Sequence, residues 1–125
     1  MAFPLFTFAN TIVRYRQSGK TSIYNYSSGA LSNNKLDIFI ACHSKQMALR
    51  SWNKGATCTL GFMNNVSGGE DFVNYLMYYM QNGKSFTEAL PLASSAYHDA
   101  NGCCGSSCPA DSYHYIYYGT NIYLQ

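Results

Sequence analysis

Leu36-Asp37-Ile38-Phe39-Ile40-Ala41-Cys42-His43-Ser44 is the stretch on which the fold turns. Its first six residues are mostly apolar and rich in β-branched and aromatic side chains. A run that short suits a strand buried on both faces, as the strands of a parallel sheet are. Asn33 and Asn34 stand before it as turn residues. The pattern returns at Ala56-Thr57-Cys58-Thr59-Leu60-Gly61-Phe62, opened by Gly55. Between the two runs Met47, Ala48, Leu49 and Trp52 fall at helical spacing. A parallel pair needs a crossover of roughly a dozen residues, usually helical. Residues 36–62 are therefore predicted to form a β-α-β unit.

Two helices are expected next, over residues 69–97. Glu70 and Asp71 suit the positive end of the first, Phe72, Val73, Leu76, Met77 and Met80 repeat at helical spacing, and Asn82-Gly83 ends it. Ser85-Phe86-Thr87-Glu88 has the form of a capping box opening the second. Phe86, Ala89, Leu90, Ala93, Ala96 and Tyr97 supply its apolar face, and Pro91 is expected to kink or shorten it. A Gly-, Ser-, Asn- and Cys-rich loop follows from Asp99 to Asp111. Residues 112–124 then read as two short strands, Tyr113–Tyr118 and Ile122–Leu124, around Gly119-Thr120-Asn121. Upstream, Met1–Asn10 suits a buried strand, Thr21–Tyr26 a further strand, and Thr11–Arg16 a weaker one. The expected class is α/β, a layered sheet of mostly parallel strands flanked by helices, with residues 1–125 forming one domain at most.

The composition narrows the classes of function. Of 125 residues, 47% are hydrophobic and only 11% charged, against a usual ~25% charged. Together with 12 Tyr and 7 Phe, this argues for a packed core and against disorder. The net charge is +2 with no basic run, which sets nucleic acid aside as a partner. No apolar stretch approaches the ~20 residues of a membrane span. The apolar N-terminus lacks the leading basic residues of a secretory signal, so the compartment stays open, an exported parent protein included. The five cysteines are an odd number. Cys103, Cys104 and Cys108 cluster, without the spacing or fourth ligand of a zinc site, and no metal or cofactor is expected. A disulfide-pinned loop follows if the chain is exported, and reduced bystander thiols otherwise.

Cys42 is the residue with chemistry to offer. Open α/β sheets build their sites at the carboxyl ends of parallel strands, where loops diverge. A cysteine there can meet solvent on a rigid support, and acts as a nucleophile when an imidazole or other positive potential favours its thiolate. The alternative is a buried small hydrophobe.

The order of segments sharpens that choice. Ala41-Cys42-His43-Ser44 ends a strand, Gly55-Ala56 opens the next, and Gly83-Lys84-Ser85-Phe86-Thr87-Glu88-Ala89 starts a later helix. Tyr118-Gly119-Thr120-Asn121-Ile122-Tyr123-Leu124 closes the chain. This series resembles the caspase-like superfamily of cysteine peptidases (caspases, gingipains, clostripain, legumain and CHAT proteases). It is most similar to the gingipain- and CHAT-like branches, over residues 36–97 and more loosely to the C-terminus.

The resemblance implies a caspase-haemoglobinase-like fold incomplete at its N-terminus. It implies the C-terminal half of an endopeptidase in which Cys42 attacks the scissile carbonyl. The Cys42 backbone N–H would help hold the oxyanion. Asn64 and Asn65 would be substrate contacts, or else polar loop residues satisfying their own backbone. The partners implied are a polypeptide substrate or partner protein, including an N-terminal half that brings the histidine. That histidine is the departure: the family carries it ~50 residues before the nucleophile, and residues 1–41 contain none. His43 adjoins Cys42 and is expected to project elsewhere, while His98 and His114 read as structural or surface residues. A fragment, a degenerate non-catalytic relative that keeps the fold for binding, and a mistaken resemblance all remain open.

Overall fold

The computed structural model describes residues 5–8, 11–16, 27–102 and 106–124. Side chains on β3 (Leu36–Phe39) alternate between two cores, as a strand covered on both faces requires. Leu36 and Ile38 enter the larger core, whereas Phe39 packs with Ala48, Leu31, Met47 and Tyr118 on the opposite face. β4 (Cys58–Phe62) alternates likewise, with Cys58, Leu60 and Phe62 in the larger core. On its other face Thr59 Oγ1 donates to the Ala48 carbonyl at 2.8 Å.

Between them lies α1 (Lys45–Asn53), which buries Ala48 and Ser51. Met47 and Leu49 are only half-buried, and Trp52 is largely exposed but stacks on Tyr118 at 5.8 Å. The helix sits this close to the sheet because position 61 has no side chain. A Cβ on Gly61 would meet the Ser44 carbonyl oxygen at 2.8 Å and the Ala48 Cβ at 3.0 Å.

β1 (Leu5–Phe8) and β2 (Thr11–Arg16) pair antiparallel, and β2 then runs parallel to β3, with Arg14 opposite Asp37. β3 and β4 are parallel. α2 (Gly69–Gln81) and α3 (Phe86–Asn101) cover the larger core and lead to β5 (Tyr115–Gly119), antiparallel to β4. The sheet order is β1-β2-β3-β4-β5. The α/β expectation thus holds, with a mixed sheet in which β2, β3 and β4 are the parallel strands. β5 is reversed because two helices separate it from β4. The first carries the chain away from the sheet's carboxyl end and the second brings it back.

Several boundaries differ from expectation. β3 stops at Phe39, and β4 starts at Cys58 because Ala56 and Thr57 still bond to Ser51 and Asn34. Pro91 lies inside α3 without ending it, on the exposed face. Ile122–Leu124 is not a strand. The Ile122 carbonyl instead takes the Phe86 N–H at 2.8 Å, and Asn121 Oδ1 takes the Thr87 N–H at 2.9 Å. This segment satisfies α3's otherwise unpaired first amides, beside a capping box in which Ser85 and Glu88 bond reciprocally. The strand expected at Thr21–Tyr26 lies outside the described residues.

The Asp37 side chain is buried within the sheet. Asp37 accepts both Asn34 Nδ2 hydrogen bonds, at 2.9 and 3.1 Å, and the Ser51 hydroxyl at 2.5 Å. Carboxylates survive burial only with such partners.

Candidate active site

Ser44 builds the turn that carries Cys42. Its buried hydroxyl donates to the Phe39 carbonyl at 2.8 Å and accepts the Phe62 N–H at 2.9 Å, joining the ends of β3 and β4. To make the turn, His43 adopts φ +55°, a left-handed conformation in which histidine is enriched among non-glycine residues. Its N–H donates to the Asn64 carbonyl at 3.2 Å, and its Nδ1 lies 3.1 Å from the Met63 carbonyl oxygen. A carbonyl only accepts, so Nδ1 carries the proton there. Cys42 is exposed, and its thiol donates to the Val66 carbonyl at 3.6 Å.

The cleft beside it holds about 490 Å³ and is lined by residues 40–42 and 66–71. One wall is the start of α2. Its N-cap, Gly68, sits at φ +79°, a region glycine enters without steric cost. A side chain there would strike the Tyr97 hydroxyl, and a Cβ on Gly69 would come within 2.7 Å of Ile40 Cγ2. The two glycines let the helix end close against the strand exit. That positive end favours negative charge in the cleft, while Glu70 and Asp71 place carboxylates in the same wall. Behind it the Tyr97 hydroxyl donates to the Ser67 carbonyl at 3.5 Å. Desolvation, then the nearby Asp71 charge, raises the Tyr97 phenol above its ordinary value and keeps it neutral.

The cysteine on β4 is of a different kind. Cys58 is fully buried, and desolvation pushes its thiol up to about 12. Its surroundings make it the small hydrophobe that Cys42 is not.

The three histidines separate. His43 faces Met63, and Cys42 bonds to Val66 rather than to an imidazole. His98 lies on α3, 3.1 Å from Asp111 Oδ1. His114 precedes β5 and so stands at the same end of the sheet as Cys42, a consequence of the strand reversal that linear order concealed. It is buried, and Asn64 Nδ2 approaches its Nδ1 at 3.4 Å. Among the described residues its Nε2 has no hydrogen-bond partner. Asn64 therefore links the Cys42 turn, through its backbone, to His114, through its amide. Asn64 and Asn65 are both exposed, and neither lines the cleft.

Ser44, a polar residue after the strand in the linear order, is the clamp under the turn. Val66–Gly68 line the cleft as a loop leaving the carboxyl end of a parallel strand should, whereas Gly69–Asp71 join the wall only through the packing of α2. A potential ligand set also appears: His98, Cys108 and Asp111 present donor atoms within 4.8 Å of one another. Cys108 is disulfide-bonded; Cys103 and Cys104 lie outside the described residues.

No family model matches the chain, and neither does any curated protein sequence or solved structure.

Proposed function

We propose that this domain carries the nucleophile of a caspase- or gingipain-like cysteine endopeptidase, as the C-terminal part of the catalytic unit. What supports this most is the exposed Cys42 thiol beyond the end of parallel strand β3, in a cleft walled by the start of α2. In the reaction Cys42 loses its proton to an imidazole contributed by a further polypeptide segment. Its sulfur attacks the scissile carbonyl, the leaving amine takes the proton, and water releases the acyl group. The positive end of α2 favours the negative charge that builds up during attack.

A second reading is a non-catalytic domain that uses the cleft to bind a partner protein. It draws on the Cys42–Val66 hydrogen bond and on His43 being turned to Met63. Alkylation separates the two. Under iodoacetamide at pH 8, with Cys58 as an internal unreactive reference, the peptidase reading expects Cys42, which shares its cleft with the positive end of α2, to be modified faster than a cysteine in the urea-unfolded chain even before the imidazole-bearing segment is supplied. Modification slower than in urea gives the binding reading. Peptide mapping by mass spectrometry reports both sites.

A further inference from the structure

The last turns of α3 and the loop that follows bring together three donors of different chemistry far from Cys42 in sequence. His98 Nε2 lies 3.1 Å from Asp111 Oδ1, and with the Cys108 sulfur the three donor atoms fall within 4.8 Å of one another. Cys108 is buried and the other two are half-buried. A thiolate, an imidazole and a carboxylate are the ligand types a zinc-class cation accepts. Bond lengths of about 2.0–2.3 Å set tetrahedral ligand atoms roughly 3.3–3.6 Å apart, so the cluster needs a contraction of only about an ångström. The loop is also held by bonds that spare these donors. Ser94 Oγ donates to the Ala110 carbonyl at 2.7 Å, and the His114 N–H to the Asp111 carbonyl at 2.9 Å. What occupies the cluster's sulfur is the disulfide at Cys108, which has no thiolate to offer a cation.

We propose that His98, Cys108 and Asp111 form a zinc-class metal site that alternates with the Cys108 disulfide. A dithiol reductant gives two electrons and two protons to the disulfide, leaving two protein thiols and itself becoming a cyclic disulfide. As the cation binds, the Cys108 thiol releases its proton to solvent and its sulfur joins His98 Nε2 and an Asp111 oxygen, with water completing the shell. Oxidised, the loop is pinned by sulfur–sulfur bonding; reduced, it is pinned by metal. Either closure holds the neighbouring Ser107, whose carbonyl takes the Ser67 N–H at 3.0 Å in the cleft wall.

Cobalt(II) titration of the full chain tests this, after reduction with dithiothreitol and anaerobic desalting. The expected result is a thiolate-to-cobalt charge-transfer band that saturates at one equivalent, is absent from the oxidised chain and is lost when zinc(II) is added. Cys108→Ser abolishes the band. His98→Ala and Asp111→Asn, which keep the thiol and the disulfide, weaken cobalt binding at least roughly tenfold. No band in the reduced chain, a band that survives Cys108→Ser, or an affinity unchanged in both other variants overturns the proposal.

Discussion

Cys42, in the turn after β3, and Cys58, on β4, differ almost entirely through solvent. Because burial raises the Cys58 thiol from 9.0 to about 12, the unfolded chain releases a proton over that interval while the folded chain keeps it. Folded stability is therefore full below pH 9 and falls as pH rises toward 12. Burial acts with the same sign on the phenols of Tyr97 and Tyr115. Urea midpoints measured across this range should decline, and less steeply in Cys58→Ala. Ser44 has an equally specific consequence. Ser44→Ala leaves the Phe62 N–H and the Phe39 carbonyl without the hydroxyl that joins them, an expected loss of about 1–3 kcal/mol. With the turn loosened, Cys42 should also alkylate at a different rate, so the two readouts change together. Sequence alone placed Cys42 just after a buried strand, because its neighbours carry the pattern; β3 itself ends at Phe39. Ser44 escaped notice because a serine after a strand looks the same whether it faces water or two backbone ends.

Among the elements, α3 is the one whose origin is written most fully in local chemistry. Its capping box was expected from Ser85 and Glu88, and both reciprocal bonds form. Ser85→Ala should cost about 0.5–2 kcal/mol in chemical denaturation. Hydrogen bonding from the Ser85 backbone, then from its side chain, holds the Glu88 carboxyl below its ordinary 4.5. That contribution is complete above the ordinary value and disappears as pH falls through the lowered one. A Glu88→Gln variant should accordingly show a flatter acid limb in a pH series of thermal melts. Pro91 did not shorten the helix, since it occupies an exposed position in a helix held by Phe86, Ala89, Leu90 and Ala93 on its buried face. Packing on one side outweighs one missing hydrogen bond on the other. The Ile122 segment shows the converse. Its β-prone composition gives way to a tertiary need, since α3's first amides require acceptors and this carbonyl supplies one.

Over the whole molecule, the larger core joins the sheet to the cleft wall through aromatic contacts. Phe72 on α2 meets Phe62 of β4, Tyr97 of α3 and Tyr115 of β5, with ring centroids 5.6–6.4 Å apart. Phe72→Ala should lower stability by about 3–5 kcal/mol. Because Phe72 lies in the same helix turn as the wall residues Gly69–Asp71, the variant should also change Cys42 alkylation in the fraction that remains folded. Equilibrium unfolding and alkylation kinetics on the same samples check both effects.

The linear chain was enough for the α/β class, the β3-α1-β4 unit and the two helices after it, because side-chain periodicity and end-capping act within a few residues. It was also enough to place Cys42 after a buried strand, although β3 ends at Phe39 and Cys42 lies in the turn beyond it. Folding brought together what lies far apart in sequence. The second helix returns the chain to the sheet's carboxyl end, which sets β5 antiparallel and stations His114 at Cys42's end. The glycine-bearing start of α2 meets the exit of β3 and makes a cleft. His98 on α3 reaches Cys108 and Asp111 in the next loop, although no motif spacing announced a ligand set. These groupings depend on how helices dock against the sheet, and docking is decided by the shared core rather than by any one segment.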